Sequence, residues 1–360
     1  MRLISILLFL FIPYIITGQI ISTQNEKINQ FVDNKKNGKW VYYSNDKVIK
    51  IGEFINDEKT GEWIEYHNNG NIEFVGMYNQ NKKNGIWKRY YYEGKLRSIG
   101  EYVNDKKNGV WTFYHQNDSV SGKTSYRDDL RNGLSVFYEE DGSLSQSETY
   151  VNDTLNGECK YFIHGDIYCV RYYSMGLSCG SFTTYHANGQ LEEVGEYFSG
   201  KKTGLWKTFY KNGQIFEIGE YIEDKKVGEW KTYYREGTLL WIGQFINDNK
   251  VGTWKKFHPT GELAGEGAFI DGLEQGLWKF YHPNGNIKST GEYKDGRMHG
   301  KWKDIYDNGQ LWAIGEFKEG SKVGVWKEYY NNGVLRWEYE YKNDQLISSK
   351  LYNIDGTLKE

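Results

Sequence analysis

The chain has 360 residues, of which 26% are charged, and its formal net charge at pH 7 is −3. This charged fraction is typical of a folded soluble protein, and the negative balance argues against nucleic-acid binding. Aromatic residues make up 17% of the chain, glycine occurs 42 times and proline three times. Aromatic residues punctuated by glycine favour strands and tight turns, so we expect an all-β protein with no nucleic-acid partner.

The N-terminal segment, residues 1–18, differs in character from the rest of the chain. Arg2 supplies a positive charge, residues 3–16 are almost entirely apolar, and small residues follow as far as Gly18. This pattern predicts a signal peptide of residues 1–18, cleaved near Gly18. The mature protein would then be exported to the periplasm, the cell surface or the extracellular space. An uncleaved anchor is the alternative, although the apolar run is short for a membrane span.

From residue 38 onward a glycine returns at a nearly constant spacing of about 23–24 residues, which indicates one small unit stacked on copies of itself. The glycines that follow this period are Gly38, Gly61, Gly85, Gly109, Gly133, Gly157, Gly180, Gly204, Gly228, Gly252, Gly276, Gly300 and Gly324. Ten of them have a tryptophan two residues later, and we expect these side chains to form a structural aromatic ladder: Trp40, Trp63, Trp87, Trp111, Trp206, Trp230, Trp254, Trp278, Trp302 and Trp326.

The repeat that begins at Gly204 shows how one unit is built. Residues 206–210 predict a strand, the Asn-Gly segment 211–214 a turn, residues 215–222 the returning strand, and residues 223–226 a polar loop. Stacking of such hairpins predicts a single-layer antiparallel meander of about 13 repeats. We expect this array to be elongated and either twisted or curved.

Counting across the turn gives an expected strand register. If Tyr210 faces Ile215, then Trp206 faces Gly219, and the indole covers the bare backbone of that glycine. Eight repeats carry both partners, and the facing glycines are Gly52, Gly76, Gly100, Gly219, Gly243, Gly267, Gly291 and Gly315. Three repeats depart from the rule, with Trp111 facing Thr124, Trp326 facing Tyr339, and Phe182 facing Gly195.

The repeats divide the chain into four regions. Residues 1–18 are the signal peptide, residues 19–37 an N-terminal half-repeat cap, residues 38–345 the repeat array, and residues 346–360 a C-terminal cap. Both caps would protect the sheet edges of the array.

The pattern breaks in the degenerate repeats, residues 122–190, where Ser135, Cys159 and Phe182 replace tryptophan. The break predicts either a bend or dedicated binding site, or decay that the array tolerates. Cys169 and Cys179 also lie here, and export would allow a disulfide among the three cysteines.

The consensus Gly-x-Trp-x-x-Tyr-Tyr-x-Asn-Gly-x-Leu-x-x-x-Gly-x-Tyr resembles the MORN repeat in its bacterial variant form. Residues 228–234 (GEWKTYY) with 243–245 (GQF), and residues 324–333 (GVWKEYYNNG), carry the resemblance, which covers nearly all of residues 31–345. It implies β-hairpins stacked in one long antiparallel meander. It also implies a protein-interaction scaffold, sometimes linked to membranes, and similarity to the antitoxin components of bacterial toxin–antitoxin pairs.

Histidines and carboxylates are the groups that could carry other chemistry. Five histidines occupy the position of the second tyrosine of a repeat, which favours aromatic replacement over metal binding: His67, His115, His186, His258 and His282. Glutamates follow the second glycine of six repeats, which favours a solvated face over acid–base catalysis: Glu53, Glu101, Glu196, Glu220, Glu292 and Glu316.

Paired lysines recur before the repeat glycine. They predict a solubilising loop, with contact to an anionic surface as the alternative: Lys35-Lys36, Lys82-Lys83, Lys106-Lys107, Lys201-Lys202 and Lys225-Lys226. We therefore expect a non-catalytic, exported scaffold that needs no cofactor or metal and binds a protein partner. The alternative is a surface that binds envelope lipid or glycan, since aromatic rows suit sugar stacking.

Overall fold

The computed structural model describes residues 27–359, and the predicted signal peptide lies outside them. Within these residues every regular element is a β-strand, and consecutive strands pair antiparallel. The predicted all-β antiparallel meander is therefore confirmed. The described residues contain no helix that is long and apolar enough to cross a membrane.

The described residues divide into two units. Unit 1 comprises residues 27–95 and Tyr102–Asp105, and unit 2 comprises Leu96–Glu101 and residues 106–359. Unit 1 contains β1 (Gln30–Val32), β2 (Lys35–Ser44), β3 (Lys47–Ile55), β4 (Glu58–Tyr66), β5 (Ile72–Asn79) and β6 (Lys82–Tyr90). Strand β7 (Leu96–Val103) contributes residues to both units.

Unit 2 holds the remaining strands: β8 (Lys106–Tyr114), β9 (Val120–Arg127), β10 (Leu130–Tyr138), β11 (Leu144–Val151), β12 (Thr154–Leu155), β13 (Gly157–Ile163), β14 (Asp166–Ser174), β15 (Leu177–Tyr185), β16 (Leu191–Phe198), β17 (Lys201–Phe209), β18 (Ile215–Ile222), β19 (Lys225–Tyr233), β20 (Leu239–Ile246), β21 (Asn249–Phe257), β22 (Leu263–Ile270), β23 (Leu273–Tyr281), β24 (Ile287–Lys294), β25 (Arg297–Ile305), β26 (Leu311–Lys318), β27 (Ser321–Tyr329), β28 (Leu335–Lys342) and β29 (Gln345–Leu351).

One kind of connection between repeats is a two-residue hairpin turn. Asn56 and Asp57 join β3 to β4 with φ of 51° and 70°, the geometry that matches the right-handed twist of paired strands. Glu223 and Asp224, with φ of 50° and 68°, do the same between β18 and β19. The predicted polar loop 223–226 is therefore too long, because Lys225 already begins β19.

The register within a hairpin agrees with the prediction except next to the turn. Trp206 pairs with Gly219, and Thr208 pairs with Glu217. A β-bulge then makes Phe209, and not Tyr210, the partner of Ile215. The predicted Tyr210 pairing is wrong because the Tyr210 backbone closes the turn, donating to the Gln214 carbonyl (2.8 Å) and accepting from the Gly213 amide (2.9 Å).

The repeat glycines lie inside strands, at bulges. Gly228 in β19 has φ of +68°, and the pairing of β18 with β19 shifts register beside it, between Ile218 and Glu220. A Cβ built on Gly228 would meet no atom within 4 Å. The glycine is therefore required by the left-handed backbone and not by a lack of space. All thirteen repeat glycines have positive φ.

Short hairpins lie at both ends of the described residues. Strand β1 pairs with β2 around the turn Asp33-Asn34. After β29 the chain turns at residues 353–356, and Tyr352 forms an isolated bridge with Leu358. These hairpins lie within the two regions that the sequence assigns to caps.

Candidate functional site

The ten ladder tryptophans are all buried in the sheet, with exposed fractions between 1% and 8%. The glycine that lies under an indole is not the one that was predicted. A Cβ built on Gly219 would collide with the indole of Trp230, whereas Trp206 is only the register partner of Gly219. Nine of the ten indoles, all except that of Trp40, thus cover the glycine on the strand before their own, in the preceding hairpin. The prediction that Trp206 roofs Gly219 is corrected accordingly.

The observed contacts between indoles and glycines explain the three repeats that depart from the predicted rule. Nine glycines would clash with the indole of the next strand if they carried a Cβ: Gly52, Gly76, Gly100, Gly195, Gly219, Gly243, Gly267, Gly291 and Gly315. Gly195, which faces Phe182 in register, lies under Trp206, so it belongs to this set although it was not predicted. Trp111 covers Gly100 and Trp326 covers Gly315, whatever residue each of them faces.

An aromatic side chain from the returning strand separates consecutive indoles. Tyr221 lies 5.9 Å from Trp206 and 5.1 Å from Trp230, edge to face with both. Phe245 repeats the arrangement between Trp230 and Trp254, at 5.9 and 5.2 Å. These edge-to-face contacts are the favoured geometry for aromatic rings. They make the side of the sheet that carries Trp206 and Tyr221, the indole face, an aromatic ladder that is continuous from Trp40 to Tyr102 in unit 1 and from Phe182 to Trp326 in unit 2.

Lysine ammonium groups lie over the outer side of most indoles. In eight repeats the lysine four residues before the tryptophan places its Nζ 3.9 to 4.7 Å from the centre of the indole: Lys36, Lys59, Lys83, Lys107, Lys202, Lys226, Lys250 and Lys322. Most of these indoles are thus enclosed between a glycine backbone and a cation. The second lysine of each predicted pair is therefore part of the ladder and not of a solvated loop.

The lysines are fixed by several polar contacts. Lys226 Nζ lies 2.8 Å from Glu217 Oε1, and both side chains are about one-quarter exposed. The Lys226 amide donates to Asp248 Oδ1 (2.8 Å), and the Asp248 amide donates back to the Lys226 carbonyl (3.1 Å). Burial lowers the pKa of Lys83 and Lys250 because it disfavours the charged form. Neighbouring repeats are therefore joined by charge-assisted contacts at this edge.

The opposite edge carries a second series of contacts between repeats. Tyr234 donates its hydroxyl to the Phe257 carbonyl at 2.9 Å, and Tyr306 donates to the Tyr329 carbonyl at 2.9 Å. The histidines make the same contact through Nε2, at 2.8 to 3.3 Å: His67 to Tyr90, His115 to Tyr138, His186 to Phe209, His258 to Tyr281 and His282 to Ile305. Each histidine thus takes the place of a tyrosine hydroxyl.

In the degenerate repeats the indole and the glycine are lost together. Ser135 and Cys159 are fully buried where tryptophan would stand, and Thr124 and Glu148 occupy the corresponding glycine positions. Glu148 accepts a hydrogen bond from the Tyr150 hydroxyl. All four residues are buried, and the strands still pair with their neighbours through residues 122–190.

Phe182 follows a variant of the same arrangement. Arg171 takes the place of the covered glycine, and its guanidinium carbon lies 4.9 Å from the centre of the Phe182 ring. Cys159, Cys169 and Cys179 are free thiols in the structure, and burial raises the pKa of the Cys159 and Cys169 thiols. Raised thiol pKa values mark unreactive structural cysteines.

The face opposite the indoles, which we call the open face, exposes apolar side chains. Alternation places Leu205, its partner Glu220, and Ile222 on this face. In unit 2 the last residue before the two-residue turn is apolar in four successive repeats, and its exposed fraction is 60% or more. We call this series the apolar row: Phe198, Ile222, Ile246 and Ile270. It is the candidate binding surface.

The six glutamates that follow the second glycine also lie on the open face, since Glu220 pairs with Leu205. Within a run of repeats they face solvent one repeat apart, which is roughly 10 Å. Among residues 27–359 no three histidine, cysteine, aspartate or glutamate side chains lie close enough to share a metal ion. The structure thus brings together the aromatic ladder, its glycines and its lysines, and it leaves the glutamates apart.

Comparison with solved structures gave only remote similarity. The structure of TcdB2-TccC3-TEV aligns with 88% of this chain at 11% identity and a TM-score of 0.18. The Photorhabdus luminescens Tc holotoxin pore aligns with 84% at 12% identity and a TM-score of 0.19. This chain spans about one-fifth of the length of those chains. Comparison with curated proteins gave no match.

Comparison with protein-family models gave a match along the repeat array. The model of the MORN repeat variant matches ten segments that together cover more than half of the chain: residues 59–80, 83–104, 107–128, 179–198, 202–223, 226–247, 250–271, 274–295, 298–319 and 322–343. Each segment starts at or next to the lysine position of a repeat and includes its glycine. The chain therefore belongs to the MORN repeat variant family.

Proposed function

We propose that this protein is a non-catalytic scaffold that binds a protein partner through the apolar row of its open face. The observation that carries the proposal is the exposure of Phe198 (73%), Ile222, Ile246 and Ile270 (60% each) in successive repeats. Four apolar side chains one repeat apart extend over roughly 30 Å of unit 2. Contiguous exposed apolar surface with polar neighbours is characteristic of interaction sites.

Charged residues border the apolar row. Ile222 pairs with Lys225, and Phe198 pairs with Lys201. The Lys201 ammonium lies 3.3 Å from Glu223 Oε2, and both side chains are exposed. An apolar centre with a polar rim is the usual composition of a protein interface. The indole face is less suited to a broad interface, because lysines already cover most of its rings.

The proposal of a non-catalytic role is supported by the structural contacts that the ionisable side chains make within the sheet. The histidines at the tyrosine position bond to carbonyls of the next repeat, and the Lys226 ammonium is held by Glu217. The glutamates of the open face do not converge. We also propose export, on the basis of residues 1–18, and N-terminal sequencing of the mature protein tests the cleavage near Gly18.

Affinity capture from the native cell envelope tests the proposal. The full chain is compared with Ile222→Glu/Ile246→Glu, which places charges in the apolar row. Leu346→Glu/Ile347→Glu is the matched control, since these residues are 50% and 54% exposed in β29. We expect a stoichiometric protein partner to be recovered with the wild type and the control but not with the row variant.

Two results would contradict the proposal. The first is recovery of no protein partner with the wild-type chain, and the second is equal recovery with the row variant. Co-sedimentation with envelope lipid vesicles and with cell-wall polysaccharide forms the parallel assay. Binding there that depends on Ile222 and Ile246, without a protein partner, would favour the lipid or glycan surface instead.

A further inference from the structure

A cleft of ≈ 630 Å³ lies on the indole face of unit 2, between residues Tyr234 and Asp304. Its aromatic wall includes Trp278, Phe280 and Trp302. Phe280 is stacked between the two indoles, at 5.9 Å and 25° from Trp278 and at 6.5 Å and 27° from Trp302. Elsewhere on this face the rings meet mostly edge to face, so the stack is unusual, and of its three rings only the half-buried Phe280 is more than 3% exposed.

The cleft coincides with a change in the sequence of the repeats. Among the ten repeats with a ladder tryptophan, only those of Trp278 and Trp302 lack the lysine four residues earlier. Glu274 and Met298 stand at these two positions, and both line the cleft. Two consecutive repeats thus lack the lysine that covers the indole in the other eight. One has an acidic side chain at this position, and the other has an apolar side chain.

Neighbouring repeats show which rings surround a lysine ammonium at this position. Lys226 Nζ lies 3.9 Å from the centre of the Trp230 ring and 5.4 Å from that of Phe245. The corresponding rings beside Glu274 are Trp278 and Tyr293, which occupy the same positions of their repeat as Trp230 and Phe245 do. An ammonium group between these two rings would therefore have the surroundings that the repeat already provides for its own lysines.

The negative charge of Glu274 would make this site attract cations. The side chain is half-buried, and its carboxylate acts on Tyr293, whose pKa is raised by burial first and by Glu274 second. Lys256 also lines the cleft, but its Nζ stands over Trp241, 5.4 Å from the ring centre. Asp304, another lining residue, accepts a hydrogen bond from Ser289 Oγ at 2.7 Å. The sequence thus places an acidic residue where the counterparts of these rings have a lysine. The Glu274 carboxylate extends toward Gly296 and also acts on Lys250, whose ammonium lies over Trp254.

We propose that the cleft binds an alkylammonium group between Trp278 and Tyr293, with the Glu274 carboxylate as its counter-ion. Aromatic rings attract cations most strongly when water is excluded, and the half-buried carboxylate adds a direct ion pair. Met298 supplies an apolar wall for the carbon atoms next to the nitrogen. The ammonium group belongs either to a lysine side chain of a polypeptide or to a quaternary ammonium compound such as choline.

Titration of the full chain with small cations tests this site. n-Butylammonium represents the lysine side chain, choline represents the quaternary group, and n-butanol is the uncharged control. Binding is followed by tryptophan fluorescence and by NMR chemical shifts. We expect saturable binding of at least one cation and none of n-butanol. The tighter cation identifies the source, since butylammonium favours a polypeptide lysine and choline a quaternary ammonium compound.

Two substitutions make the test specific. Glu274→Lys restores the residue found in eight other repeats, so it keeps the fold while its own ammonium fills the site. We expect it to abolish cation binding, and Glu274→Gln to weaken binding by roughly tenfold through loss of the ion pair. Glu220→Gln, on the open face, is the control and should bind as the wild type does.

The proposal would be overturned by cation binding that survives Glu274→Lys, by equal binding of n-butanol, or by the absence of saturable binding of both cations. None of these results bears on the apolar row, which lies on the other face. Loss of the proposed protein interface and loss of this site can therefore be told apart.

Discussion

Gly219 lies beneath the indole of Trp230, although its register partner in the hairpin is Trp206. This relationship joins one repeat to the next, because Gly219 belongs to β18 and Trp230 to β19. The main packing contact of the ladder is therefore between hairpins and not within them. A single hairpin of this chain would leave its glycine uncovered, which gives a physical reason for the repetition of the unit.

Removal of one indole should loosen two repeats together. We expect Trp230→Ala to lower the free energy of opening by roughly 3–5 kcal/mol around both Trp230 and Gly219, since a fully buried side chain is lost. Hydrogen exchange followed by mass spectrometry measures this opening locally. Trp312→Ala is the control because Trp312 is 44% exposed, and we expect little change there. Unchanged exchange at Gly219 would contradict the packing described above.

The lysine over each indole should contribute stability through its charge. Lys226→Met keeps most of the apolar stem but loses the contact with Trp230 (3.9 Å) and the ion pair with Glu217 (2.8 Å). We expect a loss of about 1–2 kcal/mol in local opening free energy. The neighbouring Lys225 is exposed, so Lys225→Met should have almost no effect. Equal losses for the two variants would show that the ammonium group is not part of the ladder.

Tyrosines of the ladder should make the fold sensitive to alkali. Burial, followed by the charge of Glu217, raises the pKa of Tyr221 to about 12. Because this folded-state pKa lies above the unfolded value of about 10, its contribution to stability is present below pH 10. It is lost as the pH rises from 10 to 12.

Circular dichroism and tyrosinate absorbance recorded between pH 9 and 13 measure this effect. We expect Tyr221→Phe to make unfolding less steep in that range. Tyr43→Phe, which removes an exposed hydroxyl, is the control and should leave the curve unchanged. A curve for Tyr221→Phe that matches the wild type would remove Tyr221 as a source of the pH dependence.

The histidines should be replaceable by tyrosine but not by phenylalanine. His282 Nε2 lies 2.8 Å from the Ile305 carbonyl, and Tyr306 makes the equivalent contact with Tyr329. His282→Phe loses this hydrogen bond and should destabilise the local structure by about 1 kcal/mol, whereas His282→Tyr should restore it. Thermal unfolding with hydrogen exchange compares the two variants. Equal stability of the two would mean that the ring alone is sufficient.

The period and the hairpin register could be predicted from the sequence, because both depend on local chemistry. Glycine at a positive φ, Asn-Gly turns and alternation across a strand fix which residues face each other, as they do for Trp206 and Gly219. The signal that identifies the true cover of Gly219 was also present in the sequence. A tryptophan at the ladder position and a glycine at the facing position of the preceding repeat are either both present or both absent, with no exception from Gly52 to Trp326.

Other features could not be obtained by counting. Counting places Lys226 and Trp230 on the same face, but whether the Lys226 ammonium extends into solvent or lies over the Trp230 ring depends on the side-chain conformation, which alternation does not determine. The bulge beside Phe209 shifts one pairing and places Tyr210 in the turn. The cleft at Glu274 depends on two substitutions in consecutive repeats, and its significance is apparent only when the lysine position is seen to cover an indole.

A double-mutant cycle on Gly219 and its two candidate partners tests the central claim most directly. Gly219→Ala is combined with Trp230→Ser and, separately, with Trp206→Ser, and opening free energies are measured by hydrogen exchange. We predict that Gly219→Ala alone costs about 1–3 kcal/mol through overpacking. This cost should nearly vanish in the Trp230→Ser background and persist in the Trp206→Ser background. Rescue by Trp206→Ser instead of Trp230→Ser would contradict the account.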